Sequence, residues 1–299
     1  MRPGLKSLIS VLSAALVLSS APSLAQARTA YPEKRGFKLT DFPRTVKLAD
    51  NVYGYEDIRQ PGFTTVSLFV VGIDGVLIVD GQGSAEATGK MLGEIAKVTP
   101  KPIKWYIVGS DHGDHTAGNA ALPSDITYVV TPFSKQQMKL QSPAMTGNKQ
   151  VINVGGIEVQ AHYLGRAHTG GDLLVYLPKQ KILFMSEVYL NRVFPAMRSA
   201  YPTEWVNVID KALKIDVDRF VAGHGFIEEP TASREELIEY QKAMRAVIAE
   251  VTRLHKLGLS AEDAAKQADW GPYKAWFLSE QQGPIAVRKI YEEIEGKLK

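Results

Sequence analysis

Hydrophobic and polar positions follow two rhythms along this chain. Val66, Leu68 and Val70 fall at every second position, Ile73, Asp74 and Gly75 offer a turn, and Val76 to Val79 is an unbroken apolar run; together they predict a β-hairpin feeding a buried sheet. Ala87, Met91, Ile95 and Val98 then recur at three- to four-residue intervals, which predicts a helix from Ser84 to Val98 covering one face of that sheet. Strand-like runs return at Ile103 with Trp105 to Val108, at Tyr128 to Val130, at Ile157 to Val159 and at Leu173 to Tyr176. From Ser233 the rhythm becomes helical: Leu237, Tyr240, Met244, Val247, Val251 and Leu254 keep a three-four spacing, and Ser233 with Glu236 matches a capping box. Ser260 with Asp263 opens a further short helix, and Ile285 to Leu298 forms the last. Strands and helices in alternation predict an α/β protein.

The first residues carry a different signal. Arg2 and Lys6 precede an apolar run from Leu8 to Leu18, and Ala25, Gln26 and Ala27 supply small residues for cleavage, the layout of a secretory signal peptide over residues 1–27. An uncleaved anchor is the alternative. The run is too short to span a bilayer, and no later stretch is long and apolar enough. Export to the periplasm or beyond is therefore expected, followed by a loose polar lead-in over residues 28–44 and one large domain over residues 45–299, helical from about 233. Loss of the leader removes Arg2 and Lys6 and no acid, so the net charge falls from +3 to +1. A near-neutral chain without a Lys/Arg cluster gives no reason to expect nucleic acid or an anionic membrane as partner; the expected partner is a small-molecule substrate. Cysteine is absent, so no disulfide forms even in an oxidising compartment.

The chemistry concentrates after the Trp105 strand. Gly109 breaks the apolar pattern, and His112, Asp114 and His115 follow within four residues, although the whole chain has only six histidines. On a loop at a strand's end these side chains can converge on one point, whereas on a regular strand they would diverge to both faces. Imidazole nitrogen with carboxylate oxygen suits zinc first, with iron or manganese behind it.

Residues Ser110 to His115 resemble the HxHxDH signature of the metallo-β-lactamase fold superfamily, with Ser110 where the first histidine stands. Further elements follow in family order. Leu164 to Thr169 resembles the G-x-A-H-T element and nominates His168, Phe184 to Glu187 resembles F-x-G-D with Glu187 in place of a bridging aspartate, and Val221 to Gly225 resembles the closing G-H-G element and nominates His224. The resemblance runs from about Asn51 to Phe226 and implies a four-layer αβ/βα sandwich. It also implies a histidine set for one metal, here His112 and His168 with Ser110 as a poor third member, and a complete second set of Asp114, His115 and His224. On that reading the second site fills first, giving one zinc and two only if the first set closes. The absence of cysteine excludes the lactamase subclasses with a cysteine ligand.

The implied activity is an exported zinc-dependent hydrolase using a metal-bound hydroxide on an ester, lactone, thioester, amide or β-lactam bond. Asp114 orients the water, and His112 or His168 acts as base or donates to the oxyanion if their set is empty. Asp80, after the Val76 strand, is either a residue that orients a ligand loop or an ordinary turn former before Gly81. Arg192 and Tyr201, in an aperiodic stretch rich in arginine and aromatics, line the substrate groove or belong to a plain loop. His162 reads as a strand histidine and His255 as a helix-surface residue near a C-terminus. Two alternatives remain: a degenerate metal-binding member without activity, and a non-hydrolytic iron enzyme of sulfur metabolism. The substrate, β-lactamase activity and oligomeric state are not legible in the residues.

Overall fold

A computed structural model describes residues 27–298; apart from Ala27, the expected signal peptide lies outside the described residues. Two mixed sheets face each other. The first has strands β1 (Arg44–Ala49), β2 (Val52–Arg59), β3 (Phe63–Val71), β4 (Val76–Val79), β5 (Ile103–Ile107) and β6 (Thr127–Val129) in sequential order. Its first four strands pair antiparallel and its last two join in parallel. The second sheet has the order β11 (Arg219–Val221), β10 (Ile182–Phe184), β9 (Leu174–Leu177), β8 (Ile157–His162) and β7 (Lys149–Val154). Only β10 and β11 pair in parallel there.

The period-2 alternation explains the layers. In β3, Val66, Leu68 and Val70 enter the core between the sheets, while Phe69 and Val71 point the other way. That outer face is covered by α1 (Ala85–Val98), where Ser84 accepts a hydrogen bond from the Ala87 amide as N-cap and Met91 and Ile95 pack against Val76 and Ile78. Val98, expected on the inner face, is exposed because the helix ends there. In the second sheet Val175, Ile182, Phe184 and Val221 face inward, while Leu174, Leu183 and Phe220 meet helices α4 (Pro202–Ala212), α5 (Pro230–Lys256) and α7 (Ser279–Ile294). The result is the four-layer αβ/βα sandwich, with both sheets buried on both faces. Two four- to seven-residue helices, α2 (Gly113–Thr116) and α3 (Pro132–Met138), sit on the connections, and α6 (Ala261–Gln267) starts at the Ser260 N-cap as its sequence indicated. No helix among the described residues is long and apolar enough to cross a membrane.

Two local expectations are corrected. The long C-terminal helix begins at Pro230, not at Ser233. Ser233 lies inside it, accepting from the Phe220 amide at 3.0 Å and donating to the Pro230 carbonyl, while Glu236 is an ion-pair acceptor, so the capping box does not form. The segment at 28–44 is docked, not loose: Ala30 is fully buried, Tyr31 packs on Phe277 with centroids 4.6 Å apart, Arg28 reaches Glu235 and Glu236, and Arg35 pairs with Glu228.

Candidate metal centre

The chemical residues arrive from the ends of parallel or neighbouring strands, on one rim of the sandwich. Asp80 follows β4; Gly109 to His115 follow β5; His168 lies in the loop between β8 and β9; Glu187 follows β10; His224 follows β11. After β5 the backbone turns into α2 with His112 at its N-cap, so His112, Asp114 and His115 share a single turn. Gly109 allows that turn to approach its neighbours, since a Cβ there would sit 2.8 Å from both Asp80 Oδ2 and Ser186 Cβ. Gly225 has φ +86°, and its Cβ would lie 2.1 Å from the Asn191 carbonyl oxygen, so the loop carrying His224 needs glycine.

Two groups of ligand atoms result, each mutually within 4.8 Å: Asp114, His115, Glu187 and His224, and His112, His168 and Glu187. In the first group His224 Nε2 is 2.9 Å from Asp114 Oδ2, 3.3 Å from Glu187 Oε1 and 3.3 Å from His115 Nε2. In the second, Glu187 Oε2 is 3.0 Å from His112 Nδ1 and 3.2 Å from His168 Nε2, and the two imidazole nitrogens are 3.0 Å apart. Ligands about 2.0–2.1 Å from a tetrahedral ion stand about 3.3 Å from one another. The observed spacings match such cages, and facing pairs of ring nitrogens are poor hydrogen-bond partners unless a cation or a proton lies between them. The donor set therefore fits a metal.

The ring orientations agree. His224 Nδ1 donates to the Thr64 carbonyl at 2.8 Å, which leaves Nε2 bare toward the cage. Phe63 and Trp205 press edge-on against His224 and His168, with centroids 5.0 Å apart in each case. Asp80, wholly buried, accepts from the Gly109 amide at 2.7 Å and the Ser110 amide at 3.3 Å, accepts from the Ser186 hydroxyl, and faces His115 Nδ1 at 3.2 Å. It thus ties its own loop to two of the ligand-bearing loops, the one after β5 and the one after β10.

Electrostatics follow from packing four imidazoles around two carboxylates. Burial works against the charge of Glu187, but His168, His112 and His224 hold it well below the usual carboxylate range. Asp114 is depressed likewise, against burial and Glu187, by His115 and His224. Burial opposes the imidazolium forms of His112 and His224, yet Glu187 lifts the first to about 9, and Asp114 with Glu187 lifts the second to about 9. In the metal-free protein, protons thus stand where a cation would bind.

The centre floors a cleft of about 600 Å³. Phe63, Leu190, Val193 and Leu278 form apolar wall, and Arg59 and Arg198 supply positive charge. Arg59, at the tip of the β2–β3 hairpin, pairs with Asp114 and lies over the Phe63 ring. Sequence reasoning missed it, because nothing near Arg59 marks a residue whose partner is fifty-five positions away. Arg192 and Tyr201 are not among the lining residues: Arg192 is held by buried Glu236 and Tyr201 stacks beneath Arg166, while Arg198 and Ser199 of the same stretch take the cleft. Ser110 is fully buried beneath Glu187 and does not reach the cleft surface. His162 bonds Gln160 at a strand end, and His255 packs on Tyr291 near the end of α5, both away from the centre.

Comparison with known proteins gives a consistent picture. The family model described as the metallo-beta-lactamase superfamily matches residues 59–224. A metallo-beta-lactamase type 2 from Elizabethkingia meningoseptica is 24% identical over 67% of this chain and 87% of its own length. A linear primary-alkylsulfatase from Pseudomonas sp. (strain ATCC 19151) is 23% identical, covering 75% of this chain and 54% of that protein. Among solved structures, a stereoselective inverting sec-alkylsulfatase from Pseudomonas sp. aligns with a TM-score of 0.71 at 13% identity, over 84% of this chain and 50% of that one. The chain thus spans most of the lactamase but about half the length of these sulfatases.

Proposed function

Because the chain belongs to the metallo-beta-lactamase superfamily, we propose that it is an exported, zinc-dependent hydrolase acting on a small anionic or amphiphilic substrate. The observation that carries this reading is the pair of ligand groups sharing Glu187 at the floor of the cleft. Asp114, His115, Glu187 and His224 would hold one zinc ion, with His112 and His168 available to a second. A zinc ion held by these residues would supply positive charge that makes water easier to ionise near neutral pH and that favours an oxyanion.

The chain's own residues do the rest. Asp80 and the Thr64 carbonyl hold His115 and His224 in orientation. Asp114, kept ionised, accepts a hydrogen bond from the attacking water and so aims it. Arg59 and Arg198 attract a negative group, and Phe63, Leu190, Val193 and Leu278 take an apolar portion while excluding bulk water. A free His112 imidazole would transfer a proton at Nδ1; one engaged as a ligand would not.

Candidate bonds are carboxylic esters, lactones, thioesters, amides and β-lactams, to which the sulfatase relatives add sulfate esters. The test is a chromogenic panel of these classes, with turnover abolished by chelator and restored by zinc. A zinc-loaded, folded protein inert toward the whole panel would favour the degenerate reading, and ferrous-dependent oxygen uptake would favour the iron enzyme. Export is tested separately by the mass of the protein recovered from the periplasm of a Gram-negative host, expected to lack residues 1–27.

A further inference from the structure

Two departures from the family pattern, Ser110 and Glu187, meet in the folded protein. Ser110 Oγ donates to Glu187 Oε2 at 2.6 Å, and that same oxygen is the one lying 3.0 Å from His112 Nδ1 and 3.2 Å from His168 Nε2. The other oxygen, Oε1, faces His224 and His115 in the neighbouring group at 3.3 and 3.9 Å. Both residues are buried, at 0% and 4% exposure, so an imidazole at position 110 would compete for the volume that the Glu187 carboxylate occupies. An aspartate at 187 would draw the carboxylate back by about 1.5 Å, one carbon–carbon bond, out of contact with one group or the other.

We propose that Ser110 and Glu187 are a compensating pair: Glu187 replaces the missing imidazole in the His112 and His168 cage, Ser110 positions it there, and the chain so retains two metal sites joined by one carboxylate. This rests on the metallo-hydrolase reading. The rebuilt cage has two nitrogens and one oxygen in place of three nitrogens. The serine hydroxyl is a positioning group, donating to the carboxylate and accepting weakly from the His112 amide at 3.3 Å, and is not itself a ligand.

The experiment is zinc stoichiometry and affinity, by elemental mass spectrometry after dialysis against buffers of fixed free zinc, on the mature protein and four variants. Near-ultraviolet circular dichroism monitors folding. The parent is expected to hold two zinc ions per chain and Glu187→Asp one. Ser110→Ala should hold the second ion with affinity lower by about tenfold, the loss typical when a group orienting a ligand is removed. Ser110→His alone crowds Glu187 and should not exceed two ions, and the exchange Ser110→His with Glu187→Asp should restore two. Ser110→Ala only deletes a hydroxyl, so it carries the test if Glu187→Asp does not fold. A parent that holds one zinc, or a folded Glu187→Asp that still holds two with unchanged affinity, overturns the compensation and leaves the hydrolase reading standing. A folded parent that holds none overturns both.

Discussion

Replacing Asp80 tests whether one buried carboxylate ties the ligand loops together. The side chain is wholly buried and accepts from the Gly109 and Ser110 amides and the Ser186 hydroxyl. Hydrogen bonds to a charged group contribute about 1.5–3 kcal/mol each, and an orphaned buried donor costs about 1–3 kcal/mol. With the Ser110 bond long at 3.3 Å, Asp80→Ala should cost about 4 kcal/mol from these contacts. The backbone adds to this, because residue 80 has φ +58°, where alanine is disfavoured by about 1–2 kcal/mol but aspartate and asparagine are tolerated. Asp80→Asn keeps the conformation and one carbonyl acceptor, so it should cost about 2 kcal/mol, roughly half as much. Urea unfolding in chelator measures these values without metal, and zinc competition measures the second consequence, a 10- to 100-fold loss of affinity in both variants. Since a whole domain is stable by only about 5–15 kcal/mol, the asparagine variant carries the test if the alanine variant does not fold. Equal destabilisation by both substitutions, or changes below about 0.5 kcal/mol with zinc affinity intact, would refute the tying role.

Four further outcomes follow from the same geometry. In chelator, His224, lifted from 6.5 to about 9, stabilises the fold fully below pH 6.5 and loses that contribution as pH rises through about 9, an effect of about 3 kcal/mol; thermal melts between pH 6 and 10 should show the decline, and a flat or rising profile sinks it. Asp114 and Glu187, held below their ordinary range, contribute above about pH 4 and lose this on acidification, so metal-free stability should peak between about pH 4 and 6.5. Saturating zinc should flatten or reverse the decline above pH 6.5, since the metal displaces those protons. Trp205→Ala removes a fully buried ring that abuts His168 and donates to the Val188 carbonyl at 2.9 Å; denaturant unfolding should show a loss of about 3–5 kcal/mol, and a loss under 1 kcal/mol would mean that the ring is not integral to that core.

Much of this was legible in the residues because it is local. Alternation in β3 follows from a backbone that points successive side chains to opposite faces, and the spacing of Met91 and Ile95 follows from the helical turn, so both appeared without a partner in view. His112, Asp114 and His115 share one turn and were found by density alone, and His168, Glu187 and His224 by their resemblance to family elements. What failed was long-range. Ser233 and Glu236 have capping-box spacing, but Pro230 starts the helix earlier and Arg192, forty-four positions away, claims the glutamate. A one-dimensional stretch likewise does not decide whether Arg192 lines the cleft or belongs to a plain loop, and the fold gives that place to Arg198 while Glu236 holds Arg192.

The sequence by itself determined the α/β class and the cluster of His112, Asp114 and His115, since these rest on periodicity and on a cluster a few residues wide, while His168, Glu187 and His224 were nominated by resemblance to family elements. Tertiary structure alone decided that Arg59 meets Asp114, that Asp80 joins three loops, and that Ser110 stands under Glu187. Such pairs are set by which strand ends come to share one rim of the sandwich, and a carboxylate's second oxygen has no sequence signature until the fold gives it a neighbour.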